Sequence, residues 1–466
     1  MKRIYVLLAS LLLAVSVFAG QAKYVFYFIG DGMGLAEVLG TEYMMRQSST
    51  GELGITPLCF ASFPYTGFLT TYSHSSDVTD SSAAGTALAC GQKTDNGVLG
   101  MLPDRETPVY SVATWAKAAG RRVGITSSVG VNHATPAAFY GHSASRNDYY
   151  QIGEQLAAMD FEFFGGSELL GGYPKDKPSL VEVAEQGGYT VVRGQKAYEN
   201  AKADADKVLM LFDYRTQDEE FPYAIDAKPG ELTLAEMTES AIDFLMKKNK
   251  GFFLMVEGGK IDHAGHSNDA AACFGDVIAM DDAVKVAFDF YKKHPKETLI
   301  VVTADHETGG LSLSNGRYEI RLDLFAHQKH SKQGFSAVLN QLRHDKKDKV
   351  TWADAKAALE ENFGFWTEIP MKHDDEMALY DEWYRSFAAN EKVKMVESLY
   401  YKDEPLSDLA VRIMDKYAQV GWTTGSHSGI AVPIFAVGAG AELFTGQYDN
   451  TEVPTKIAKA AGYKVK

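Results

Sequence analysis

Unbroken apolar runs separated by amphipathic stretches organise most of this chain. Residues 24–29 (Tyr-Val-Phe-Tyr-Phe-Ile) carry no polar side chain apart from tyrosine hydroxyls and stop at Gly30-Asp31-Gly32. A strand with one wet face would alternate apolar and polar residues. An unbroken run predicts a strand covered on both faces, as in a parallel sheet. Runs of the same kind recur at residues 123–126, 208–212, 252–256, 298–303 and 430–437. Helical periodicity falls between them, at residues 112–119, 234–248, 271–291 and 453–461. Strands alternating with helices predict an α/β fold, a doubly wound and mainly parallel sheet flanked by helices.

Residues 314–421 break this alternation. They are rich in lysine and acidic residues, read as amphipathic helix at 351–362 and 374–387, and contain no clear strand run. We read them as a mostly helical insertion, a cap, crown or interface, into an α/β core made of residues 23–313 and 422–466. At the other end, Lys2 and Arg3 precede an apolar run over residues 6–18, and small residues follow. That run is short for a membrane span, which needs about 20 residues. The pattern predicts a signal peptide over residues 1–22, cleaved near 19–22, and a periplasmic or secreted protein. No later segment reads as a membrane span.

The chain has 466 residues, 45% of them hydrophobic and 23% charged, which excludes wholesale disorder. Its 46 basic and 61 acidic residues give a formal charge of −15. That argues against a nucleic-acid partner, which needs a basic footprint. An anionic substrate would have to be attracted locally, by metal ions or a placed arginine. Three cysteines, Cys59, Cys90 and Cys273, form neither a disulfide framework nor a CxxC metal site.

Three of the predicted strands end in acidic residues: Asp31 after the first, Glu257 followed by Asp262, His263 and His266, and Asp305-His306-Glu307. In open α/β sheets, ligands bind beyond the carboxyl ends of the strands. One acidic strand end is ordinarily a cap or turn residue; three together, two with histidines, point to a metal site. Asp262 and His266 are four apart and share one helical face. Past a strand end, a loop can aim both Asp305 and His306 at one ion. Carboxylate and imidazole donors suit zinc. His427, in Gly425-Ser426-His427-Ser428-Gly429, is a further candidate.

Two more segments carry chemistry. Thr79-Asp80-Ser81-Ser82-Ala83-Ala84-Gly85 leads a polar cluster into small residues at helical spacing. A serine in a first turn lies near free backbone N–H groups, which favour an alkoxide and bind anions. Small residues there let the helix pack close to another element. No GxSxG elbow is present, so a serine-hydrolase triad is not supported. The segment Asn132-His133-Ala134-Thr135-Pro136 runs on to Arg146, whose planar fork suits bidentate phosphate.

Together these motifs closely resemble the alkaline phosphatase family. Asp-Gly-Met-Gly, Thr-Asp-Ser, the Thr-Pro…Arg segment, Glu…Asp…His, Ala-Asp-His-Glu and Ser-His-Ser-Gly occur in family order, over residues 28–306 and 424–437. The resemblance implies hydrolysis of small phosphate monoesters through a phosphorylated Ser81. It implies one zinc on Asp262, His266 and His427, and a second on Asp31, Asp305 and His306. It also implies a magnesium reached by Asp31, Thr135 and Glu257, and Arg146 as the phosphate clamp. The family is often dimeric, so a homodimer is expected. Some bacterial members carry Asp and Lys where this chain has His133 and His263. The histidine pair is similar to the animal enzymes and is expected to line the third metal site, where zinc then competes with magnesium.

Overall fold

The computed structural model describes residues 21–216, 219–389 and 393–465. The predicted leader falls almost wholly outside these. A ten-stranded sheet forms the core. In chain order its strands are β1 (Tyr24–Gly30), β2 (Tyr65–Thr70), β3 (Arg122–Ser127), β4 (Phe163–Gly166), β5 (Thr190–Arg193), β6 (Val208–Leu211), β7 (Phe252–Gly258), β8 (Thr298–Ala304), β9 (Val432–Gly438) and β10 (Gly446–Asp449). Their spatial order is β10-β2-β9-β8-β1-β7-β3-β4-β6-β5. β9 runs antiparallel to both its neighbours, and the other pairings are parallel.

β1 lies at the centre, fully buried along its length. Its alternate residues serve opposite faces, as the period of a strand requires. Tyr24 and Phe26 meet Phe290 edge-on, at ring separations of 5.0 and 5.5 Å. Tyr27 points the other way, onto Phe139 and the carbonyl of Leu88. Both sides are therefore covered by helices, which is why the run is apolar throughout.

The helices that matter for the site are α1 (Leu35–Thr50), α2 (Ser81–Cys90), α3 (Lys260–Ser267) and α4 (Ala270–Lys293). Asp80 caps α2, its Oδ1 accepting from the Ala83 N–H at 3.0 Å. Gly85 brings α2 close to its neighbour: a Cβ there would lie 3.2 Å from Thr135 Cα. The small residues of this helix thus have the packing role expected of them.

The segment between β8 and β9 builds a second hydrophobic core, with Phe335, Leu339, Leu359, Phe363, Leu379, Leu406 and Met414 buried in it. Its main helices are α5 (Lys332–Asp345), α6 (Trp352–Phe363), α7 (His373–Trp383) and α8 (Pro405–Ala418). Ser312–Leu313 pairs antiparallel with Val420–Gly421 at its neck. It is also tied down directly behind α3. Asp269 caps α4 and accepts from the Lys332 N–H at 2.7 Å and from Gln328 at 3.0 Å, while Lys332 Nζ reaches Asp408 at 2.8 Å.

Two expectations need correction. The last long strand begins at Val432, not at residue 430; Ile430 is exposed and precedes the pairing with β2 and β8. The insertion also contains strand structure, a short hairpin of Val396–Glu397 against Lys402–Asp403. Two-residue strands leave no periodicity to read.

Candidate active site at the carboxyl ends of the strands

The register of the central strands assembles the site. Gly30 of β1 aligns with Gly258 of β7 and Ala304 of β8, so Asp31 and Asp305 leave adjacent strands side by side. Glu257 aligns with Ile29 on one side and Ser127 on the other. Gly32 makes the turn out of β1, with φ +74°. A Cβ on it would lie 2.8 Å from both Asp262 Cα and Thr308 Oγ1, so glycine alone allows α3 to come this near.

Three groups of side chains each bring donor atoms within 4.8 Å of one another: Asp262, His266 and His427; Asp31, Asp305 and His306; and Asp31, His133 and Glu257. The first forms because Asp262 and His266 stack on one face of α3. His427, on a two-residue strand paired with Glu307–Thr308, swings in from the far end of the chain. His266 Nδ1 lies 2.8 Å from the Gly425 carbonyl, and His427 Nδ1 lies 2.7 Å from that of Thr79. Each carbonyl takes the Nδ1 proton and leaves the Nε2 lone pair for a ligand. The two Nε2 atoms are 3.1 Å apart, with Asp262 Oδ1 at 3.3 and 3.5 Å.

In the second group, Asp305 Oδ1 accepts from the Gly32 and His306 N–H groups at 3.1 and 2.9 Å. Its Oδ2 is left facing His306 Nε2 at 3.3 Å. Asp31 Oδ1 lies 3.4 Å from the same nitrogen. Ser81, first residue of α2, is buried with its Oγ 3.2 Å from His306 Nε2.

In the third group, Glu257 Oε2 accepts from Ser127 Oγ. Thr135 Oγ1 stands 3.5 Å from Asp31 and 3.3 Å from Asp305. Arg146 follows only a four-residue helical turn, Ala134–Ala137. It reaches back to Asp80 Oδ2 at 3.1 Å and His133 Nε2 at 3.3 Å. His263 lies outside the three groups: its Nδ1 is held by Glu220 at 2.8 Å.

Asp31, Glu257, Asp262 and Asp305 are all fully buried. Burial, then Asp305, Asp262 and Glu257, push Asp31 well above the usual carboxylate range. Burial and Asp262 push Asp305 up to about 7, and burial pushes Glu257 up to about 8. Asp262 is the exception: burial raises it, but His266 and His427 bring it well below that range. Burial, Arg146 and His263 lower His133 to about 3, which keeps it a neutral donor. Burial works against the charge of Arg146, yet its surroundings, the Asp80 carboxylate among them, hold it above its ordinary value. Asp31 Oδ1, Glu257 Oε1 and His133 Nδ1 are buried without a hydrogen-bond partner. Four buried carboxyls, two of them with an orphaned oxygen, and nitrogen lone pairs converging between them fit bound cations.

Three participants carried no signal in the sequence, Thr308, Glu220 and Tyr400, and a fourth, Asp80, has a role in the site beyond that of a cap. Asp80 anchors Arg146 as well as capping α2. Thr308 donates to Asp262 Oδ1 at 2.5 Å. Glu220 holds His263. Tyr400 reaches in from the insertion, its hydroxyl 3.2 Å from Asp262 Oδ2. Burial and Asp262 raise the Tyr400 phenol well above its ordinary value, so it is an O–H donor.

The family model for alkaline phosphatase matches residues 22–463. Alkaline phosphatase 3 of Bacillus subtilis is 32% identical over 459 residues, covering 96% of this chain and 90% of that protein. The repressible alkaline phosphatase of Saccharomyces cerevisiae is 29% identical, covering 93% and 80%. The crystal structure of a cold-active alkaline phosphatase from Shewanella sp. superposes with a TM-score of 0.77 at 29% identity, covering 94% of this chain and 99% of that one. A variant of the TAB5 alkaline phosphatase with a histidine replaced by glutamate carries bound magnesium; it superposes with a TM-score of 0.66 at 26% identity, covering 95% and 99%. With matches that run nearly end to end in sequence and in fold, this chain belongs to the alkaline phosphatase family and is a phosphatase.

Proposed function

We propose that the chain hydrolyses phosphate monoesters to an alcohol and inorganic phosphate through a phosphoserine at Ser81. The observation that carries this reading is the place of Ser81 Oγ: at the open first turn of α2, 3.2 Å from His306 Nε2 and beside the converging donor groups. Asp262, His266 and His427 would hold one zinc, and Asp31, Asp305 and His306 the other. Asp31, Thr135 and Glu257 would hold magnesium, with His133 adding a nitrogen that also suits zinc. When bound, these ions supply Lewis-acid charge that acidifies the serine hydroxyl and a water and neutralises the departing alkoxide.

The chain's own residues then divide the work. Ser81 gives up its hydroxyl proton as Oγ attacks phosphorus. The phosphorus–ester oxygen bond breaks with its electron pair on oxygen, and that oxygen takes a proton from water to leave as the alcohol. Water attacks the phosphoserine in line, phosphate departs and the Ser81 hydroxyl is restored. Arg146, held by Asp80, offers its fork to two equatorial oxygens, where charge gathers in both steps. A second ester group would have to occupy that space, which favours monoesters over diesters.

The same reading makes this a periplasmic or secreted homodimer, exported by residues 1–22, with residues 314–421 as cap, crown or interface. The leader pattern supports export. Among the described residues, no helix is long and apolar enough to cross a membrane.

The test is turnover of a chromogenic phosphate monoester by pure protein of measured metal content, beside the matching diester and sulfate. Monoester turnover should dominate and follow the zinc content. Faster diester or sulfate turnover would refute the assignment.

A further inference from the structure

Among the described residues, the insertion reaches the metal groups through a short hairpin turn. The hairpin, Val396–Glu397 against Lys402–Asp403, ends in a tight turn where Ser398 and Tyr401 exchange backbone and side-chain hydrogen bonds. The turn delivers two neighbouring tyrosines in different directions. Tyr401 goes to the base of the site, donating to Glu220 Oε2 at 2.7 Å beside Lys260 Nζ at 2.5 Å. Glu220 accepts from Lys260 and from His263 Nδ1 at 2.9 and 2.8 Å, so three groups fix one buried carboxylate. Tyr401 thereby anchors the turn to α3.

Tyr400 goes to the metal groups. Its ring lies flat on His263, with centroids 3.5 Å apart and planes 22° apart. Its edge meets His266, centroids 5.5 Å apart. These contacts leave the phenol little freedom, and its oxygen sits 3.2 Å from Asp262 Oδ2. The two oxygens of Asp262 are thus divided. Oδ1 accepts from Thr308 Oγ1 at 2.5 Å and turns its remaining lone pair to the Nε2 atoms of His266 and His427, while Oδ2 is held by Tyr400.

We propose that Tyr400 is a positioning residue for the Asp262–His266–His427 metal site, holding Asp262 Oδ2 so that Oδ1 is the oxygen presented to the ion. This rests on the reading that the group binds zinc. The insertion is then part of the metal site, because a residue 138 positions beyond Asp262 fixes one carboxylate oxygen while Thr308 fixes the other. Groups hydrogen-bonded to metal ligands typically contribute about 10- to 100-fold in metal affinity.

The test compares the full-length, zinc-loaded parent with Tyr400→Phe, which keeps the ring on His263 and removes only the hydroxyl. Zinc release to a chromogenic chelator is followed in time, with circular dichroism as a check on fold. One zinc should leave Tyr400→Phe about 10- to 100-fold faster, and the other at the parent's rate. Tyr400→Ala, which also removes the stacking, should release it faster still. In a His427→Ala background, which disables that site, Tyr400→Phe should change nothing. Identical release from parent and Tyr400→Phe, equal acceleration of both zincs, or acceleration that survives in the His427→Ala background overturns the proposal. A parent that holds no zinc at all refutes the underlying reading instead.

Discussion

Replacing Arg146 with alanine removes the guanidinium proposed to clamp the phosphate, and the structure sets how much should be lost. The side chain is 17% exposed and is held by Asp80 Oδ2 at 3.1 Å. Its removal need not disturb the fold. Asp80 keeps three other donors: Ser82 Oγ at 2.7 Å, the Gly97 N–H at 3.0 Å and the Ala83 N–H at 3.0 Å. What disappears is a charge-assisted contact to substrate, about 1.5–3 kcal/mol, or roughly 10- to 150-fold in kcat/KM. Turnover should persist, because the cations carry most of the opposing charge. Inhibition by inorganic phosphate should weaken by a similar factor, and Arg146→Lys should recover part of the loss, having charge without the fork. Steady-state kinetics with phosphate as competitor reads all three. An unchanged phosphate inhibition constant in Arg146→Ala, with the fold intact, would refute the assigned role.

Chelation should abolish activity and zinc should restore it, with magnesium adding a further increment; full activity in protein free of transition metal by elemental analysis would sink the metal mechanism. In the metal-free protein at pH 7, Glu257, raised to about 8, is mostly protonated and Asp305, raised to about 7, is protonated in about half the molecules. Loading should therefore release protons at pH 7, release fewer at pH 9, and tighten as pH rises between the two; pH-independent proton release in a weakly buffered titration contradicts this. Replacing His133 by Asp and His263 by Lys should raise magnesium affinity or tolerance to excess zinc. Because His133 belongs to a donor group and His263 does not, His133→Asp alone should carry most of the change. Superimposable zinc titrations of parent and His133→Asp would show that this residue does not tune the third site.

The legible parts of the fold share a physical cause. Residues 24–29, 252–256 and 298–303 form strands covered on both faces, and double burial forces an unbroken apolar run. β2, β4, β5 and β10 leave no such mark. β2 mixes exposed and buried positions, and β10 is Gly-Gln-Tyr-Asp. Half of β4 is glycine, because side chains on Gly165 and Gly166 would strike Met237 and Val131. In the site, Asp31, Glu257, Asp262, Asp305 and their histidines are legible because each lies at or just past the end of an apolar run or shares a helical face. Asp80 was readable only as a cap; its second role depends on Arg146 folding back from 66 positions away. Glu220 and Tyr400 were silent, since each acts through contacts between distant segments that no local spacing encodes. Glu220 holds Nδ1 of His263 and leaves its buried Nε2 without a hydrogen-bond partner, a pairing between segments 43 positions apart.

The central claim is a covalent phosphoenzyme on Ser81, and trapping that species tests it most directly. The zinc-loaded protein, mixed with a phosphate monoester and quenched in acid, should yield one phosphopeptide. Fragmentation should place the phosphate on Ser81, and Ser81→Ala should give no label while keeping its fold and zinc. Ser82 is the rival one residue along, its hydroxyl turned to Asp80 Oδ2 at 2.7 Å and away from the donor groups. Label on Ser82, or full turnover by Ser81→Ala, would contradict the account.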